Sequence, residues 1–142
     1  MSTNIALIHA VYAAISPVEH AFAQDWPEAT LTSLLAEDLT LKLSRAGKQT
    51  EDIQCRIQQL ADFAAHANVD GILYTCSAFA DSIEAARKKS SIPILKPNEA
   101  MFEEVLELGG RVGMLVTFEA AISSMTSEYS QMARDLGKED TL

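Results

Sequence analysis

Cysteine is scarce in this chain of 142 residues: there are two, Cys55 and Cys76. Two distant cysteines make neither a disulfide framework nor a zinc-ligand spacing, so a reducing cytoplasmic setting is expected. Basic residues are also few, eleven against twenty acidic ones, which leaves a formal net charge of -9. That charge repels phosphate backbones and argues against nucleic acid as a partner. Glycine is sparse as well, and none of the six sits in a P-loop or dinucleotide-binding pattern. No apolar run exceeds strand length, so no membrane-spanning segment is expected. Met1-Ser2-Thr3-Asn4 lacks the cationic start of a signal peptide. His9, His20 and His66 fall on three separate elements without carboxylates at ligand spacing, and no metal site is expected. A cysteine phosphatase would need arginine six positions after its nucleophile, where this chain has Ser82.

The remaining composition is that of a globular α/β chain, 48% hydrophobic with a mean hydropathy of +0.05. Ile5 to Ala10 reads as a buried strand, and Pro17 opens a short helix whose inner face carries Val18, Ala21 and Phe22. Trp26-Pro27 stops that helix. Thr30 to Leu35 is a second strand, and Asp38 to Gln49 is expected to be a mobile loop. Thr50 caps a long helix with a stripe of Ile53, Ile57, Leu60, Ala64 and Ala67. Gly71 to Thr75 is a third, central strand; Ile92 to Leu95 and Arg111 to Val116 are the fourth and fifth. Asn98 is read as the cap of the helix that ends at Gly109-Gly110. A last helix carries Phe118, Ile122, Met125, Tyr129, Met132 and Leu136 on one face. Strands alternating with helices imply right-handed crossovers and a parallel sheet, and no internal repeat is evident beyond that alternation.

Ligands of an open parallel sheet bind beyond the carboxyl ends of its strands. Cys76 stands at such an end. Ser77 is placed to cap a helix beginning at Ala78, leaving the amides of Ser77, Ala78 and Phe79 free as a carboxylate site. The same helix start is expected to lower the pKa of the sulfur. The competing reading is that Cys76 is a small core hydrophobe. His9 reads equally as a strand-end histidine with satisfied hydrogen bonds, and Asn98 and Thr117 as helix-start residues that face the ligand edge. Cys55, among Gln58, Gln59, Asp62 and His66, belongs to the wet face of its helix.

The stretch Gly71-Ile-Leu-Tyr-Thr-Cys-Ser-Ala-Phe79 resembles the first catalytic segment of the aspartate/glutamate/hydantoin racemase superfamily. Ile92-Pro-Ile-Leu-Lys-Pro-Asn-Glu-Ala-Met-Phe-Glu-Glu104 and Arg111-Val-Gly-Met-Leu-Val-Thr-Phe118 are similar to further segments of it. The resemblance runs from Asn4 to about Leu136. It implies flavodoxin-like αβα lobes, with residues 1–97 forming the first lobe and residues 98–142 the start of a second. It implies a cofactor-independent enzyme in which one cysteine per lobe faces the α-carbon of a small carboxylate, amino acid or hydantoin. Cys76 would be the first of these acid/base groups. Ser77, Ala78 and Phe79 would hold the carboxylate, and His9, Asn98 and Thr117 would line the pocket. The second cysteine would come from the second lobe, since Cys55 is not at a strand end. A homo-oligomer or the rest of a second lobe is expected to cover the apolar surface from Asn98 onward. The alternative function is a non-catalytic half-molecule that binds a small acid or a partner chain.

Overall fold

The computed structural model describes residues 2–142. Two apolar runs form the centre of one sheet. β1 (Asn4–His9) and β3 (Gly71–Tyr74) pair in parallel, with Ile5 opposite Gly71 and Ile8 opposite Tyr74. β2 (Thr30–Leu35) joins the outer side of β1 and β4 (Ile94–Leu95) that of β3, giving the all-parallel order β2-β1-β3-β4. α1 (Ile15–Asp25) crosses from β1 to β2. α2 (Asp38–Ala46) and α3 (Glu51–Ala65) cross from β2 to β3, and α4 (Ala80–Arg87) from β3 to β4. The first step runs opposite to the other two, so right-handed crossovers put α1 on one face and α3 with α4 on the other. This is the three-layer αβα lobe expected from the sequence.

The core lies on the α3–α4 face. Ala6, Ile8, Ile72, Tyr74 and Ile94 point from the strands at alternate positions and meet Ile53, Ile57, Leu60 and Ile83 from the helices. Thr50 opens α3 as expected, its Oγ1 accepting the Ile53 amide at 3.4 Å. Ala67 lies beyond the end of α3 and is exposed. The α1 layer is thinner, with Val18 and Phe22 half-buried and Ala21 exposed.

Four expectations are corrected. Asp38–Ala46 is a helix rather than a mobile loop: Leu39 and Leu43 sit one turn apart and are both buried, and Gly47 closes the helix at φ +68. The polar residues between those leucines hid a short amphipathic pattern. Arg111 to Val116 forms no sheet ladder. Val112, Met114 and Val116 are half-buried while Arg111, Gly113 and Leu115 are exposed, Leu115 at 98%. The alternation is one-sided, and the segment's one backbone bond outward among the described residues is Val112 N–H to the Thr141 carbonyl. Asn98 precedes α5 (Glu99–Leu108) but makes no side-chain cap. In α6 (Ile122–Asp135) Met125 and Tyr129 are buried, whereas Phe118, Ile122 and Leu136 remain about half exposed.

A short stretch of sequence recurs at two helix starts. Ala13-Ala14-Ile15-Ser16 ends a 3-10 turn and begins α1; Ala120-Ala121-Ile122-Ser123 ends a 3-10 turn and begins α6. At the same offset, β1 corresponds to Arg111–Val116. The turn and helix start thus recur, whereas Arg111–Val116 forms no strand.

Candidate active site

β3 delivers Cys76 just beyond the carboxyl edge of the sheet. The backbone stays extended there (φ -117, ψ 121), which continues the strand's alternation. Cys76 thus falls on the same face as Ile72 and Tyr74, is partly buried, and packs against the core. His9 and Thr75 fall on the opposite face. They meet each other: His9 Nδ1 lies 2.8 Å from Thr75 Oγ1, and Thr75 Oγ1 lies 3.4 Å from the Ile8 carbonyl. In that chain Nδ1–H donates to Thr75, which donates to Ile8, leaving the His9 Nε2 lone pair buried without a partner. Burial pushes the His9 pKa below 6.5, against the smaller upward pull of the Glu19 carboxylate.

The start of the helix after Cys76 differs from its expected form. Residues Ser77–Phe79 make one 3-10 turn and regular α-helix begins at Ala80. Ser77 caps nothing; its hydroxyl donates to Asn98 Oδ1 at 3.1 Å. The Ala80 amide donates to Ser124 Oγ at 3.2 Å, and the Ser82 amide to Gln49 Oε1 at 3.3 Å. Side chains from α6 and from the α2–α3 connection thereby close the first turn of α4. The Ala78 N–H favours the thiolate form of Cys76. The side chains of Ala78 and Phe79 are buried in the core, so these two residues can offer a ligand only backbone.

This arrangement reverses the expected titration of Cys76. Burial pushes the thiol above its ordinary value of 9.0, and the Ala78 N–H only partly offsets that. A single 3-10 turn leading into an eight-residue helix carries a weak field, and desolvation wins. The resting group is a thiol, a proton donor. Cys55 is exposed on α3, where Gln59 Nε2 approaches its sulfur at 3.8 Å.

Asn98 and Thr117 take different places. Thr117 is exposed in the bend before α6. Asn98 is buried, and its amide is engaged at both ends, with Ser77 on Oδ1 and Glu128 Oε2 at 3.4 Å from Nδ2. Glu128 is itself buried on α6, with Lys96 Nζ 3.3 Å from its Oε1. That contact is an ion pair of charge alone, because its angles miss those of a hydrogen bond. Lys96 also reaches Glu84 at 3.6 Å. Sequence reasoning reached Lys96 only as a strand-end residue and passed over Thr75, Gln49, Ser124 and Glu128. Only Glu128 left a signal: a carboxylate set between Met125 and Met132 on the inward face of a helix.

A cleft of about 760 Å³ opens between the C-terminal end of α2 and the start of α6. Gln49, Asp81, Ser123 and Ser124 line it, and it reaches the Cys76 segment at Ala78. No cluster of three or more metal-ligating side chains occurs among the described residues. Nor is any described helix long and apolar enough to cross a membrane. The family model described as Asp/Glu/Hydantoin racemase matches residues 10–139. No curated protein matches the chain. The family match supports racemase or isomerase activity in general, with a small carboxylate as substrate.

Proposed function

The chain belongs to the Asp/Glu/hydantoin racemase family, and from that premise we propose that Cys76 exchanges a proton with the α-carbon of an amino acid, hydantoin or related small carboxylate. The observation that carries this reading is the position of Cys76: partly exposed, just beyond the end of a central parallel strand. Cys76 first loses its thiol proton to solvent. The thiolate then takes the α-proton, so that the Cα–H bond breaks as an S–H bond forms and the electron pair moves into the adjacent carbonyl or carboxylate. A close, oriented base and donors aimed at the developing enolate charge lower that barrier without a cofactor. The backbone amide of Phe79 would meet the charge, with Ser77 and Thr117 lining the substrate. The cytoplasm is the expected location.

Residues 1–97 then form one lobe, and residues 98–142 begin a second. The rest of such a lobe, or a second copy of the chain, would cover Leu115 and its neighbours. Cys55 is exposed on α3, away from any strand end, so this chain's own residues supply one acid/base group rather than two. One-sided chemistry gives exchange with retention, and binding without turnover remains the rival outcome.

Incubation with L- and D-aspartate, glutamate and hydantoins in deuterated buffer tests the proposal. Deuterium should enter the α-position, without inversion when one base acts alone. Cys76→Ser should lower exchange by at least a hundredfold, the usual scale for losing a general acid or base, while Cys55→Ser should not change it. Equal exchange by wild type and Cys76→Ser would refute the assignment.

A further inference from the structure

A polar chain, buried at Asn98 and Glu128, runs from Ser77 beside Cys76 through Asn98 to Glu128 and Lys96, joining the segment after β3 to α6. Each member has a fixed hydrogen-bonding character. The Lys96 ammonium can only donate, and the Glu128 carboxylate can only accept. Asn98 must therefore turn its NH2 toward Glu128, which leaves its carbonyl oxygen for Ser77. The one proton of Ser77 is spent on that oxygen. What Ser77 still offers is lone pairs, next to a cysteine at the ligand edge of the sheet.

An oxygen that only accepts repels a carboxylate and suits an ammonium or amide N–H. We propose that Lys96 and Glu128 are positioning residues that act through Asn98 to hold Ser77 as an acceptor, so that the site selects substrates with an N–H beside the α-carbon. Aminated acids and hydantoins meet that requirement; simple hydroxy or dicarboxylic acids without nitrogen do not. The inference rests on the reading that substrate lies against Cys76. The carboxylate is then left to the backbone amide of Phe79, and Ser77 distinguishes what else the α-carbon carries.

Glu128→Gln should invert the chain. Lys96 would draw the new amide oxygen toward itself, turning the Gln NH2 toward Asn98. Two NH2 groups cannot face each other, so Asn98 turns over, donates to Ser77, and frees the Ser77 proton for the site. Two alkylating probes read this inversion at Cys76: iodoacetate, which carries a carboxylate, and iodoacetamide, which carries an NH2. Their rate ratio at Cys76, normalised to that at exposed Cys55, should rise in Glu128→Gln by about tenfold, the worth of one hydrogen bond to a charged group. Removing a buried charge would itself favour iodoacetate. The diagnostic part is therefore the rise that vanishes when Ser77→Ala is added. Asn98→Ala frees the same proton by removing its acceptor, and replaces Glu128→Gln if that variant does not fold. An unchanged ratio in both variants, with Cys76 still protected from alkylation by aspartate, glutamate or hydantoin, would overturn this inference alone. Failure of all three compounds to protect Cys76 in the wild type would overturn the substrate reading, and this inference with it.

Discussion

At the scale of single residues, burial decides the behaviour of both groups at the sheet edge. Cys76 rests as a thiol because desolvation outweighs the Ala78 amide. At neutral pH iodoacetamide should therefore modify exposed Cys55 first, with Cys76 gaining rapidly only above about pH 9, where thiolate forms. Peptide mass spectrometry across a pH series checks this; early modification of Cys76 at neutral pH would show that the helix start governs it after all. His9 supplies the second residue-scale test. Its pKa is lowered in the folded protein, so below about pH 6.5 the unfolded chain binds a proton that the folded one does not. Stability from this group is full above that pH and declines as pH falls toward the lowered folded value. Urea midpoints at about pH 7.5 and about pH 5.5 should differ less in His9→Gln than in wild type. An equal difference in both proteins would remove His9 as the source.

At the scale of elements, the sequence was legible where one periodicity ruled. β1, β3 and α3 bury clean apolar patterns, and all three form where the residues indicate. The Thr50 cap is also legible, and Thr50→Ala should cost about 1 kcal/mol in urea unfolding without altering the fold. A loss of a few tenths or less would mean that the 3.4 Å bond contributes little. Elements that depend on distant partners were less legible. α2 needs its two leucines to meet α3, with Arg56 Nε reaching Asp38 at 2.9 Å, before it outcompetes a loop. Arg111–Val116 has the composition of a strand, yet pairing is a property of two strands, and β4 offers only two residues at its edge. The site followed the same division. Position on the sheet singled out Cys76, whereas its titration and the Ser77–Asn98–Glu128 connection depend on helices brought in from remote sequence.

At the scale of the molecule, charge rather than packing sets the response to solvent. The net charge is -9, and α5 alone carries Glu99, Glu103, Glu104 and Glu107 with no basic residue. Glu99 is paired with Arg87, which bridges α4 to α5; among the described residues the other three carboxylates of α5 have no such bridge. Like charges held close repel more in the folded state than in an expanded chain. Salt weakens that repulsion, with a screening length of about 10 Å at 0.1 M. It also weakens favourable pairs, and the two effects oppose each other. The pairs most open to screening are Lys42–Asp52 and Arg56–Asp38, both substantially exposed. Exposed pairs contribute at most about 1 kcal/mol each and often nothing. The Lys96–Glu128 pair is buried and little affected by salt. Relief of repulsion should therefore win. Raising sodium chloride from about 10 mM to about 0.3 M should increase the melting temperature by roughly 2–4 °C, equivalent to about 1 kcal/mol for a chain of this size. A melting temperature that falls over the same range would mean that the exposed pairs between α2 and α3 stabilise this fold more than its excess of carboxylates strains it.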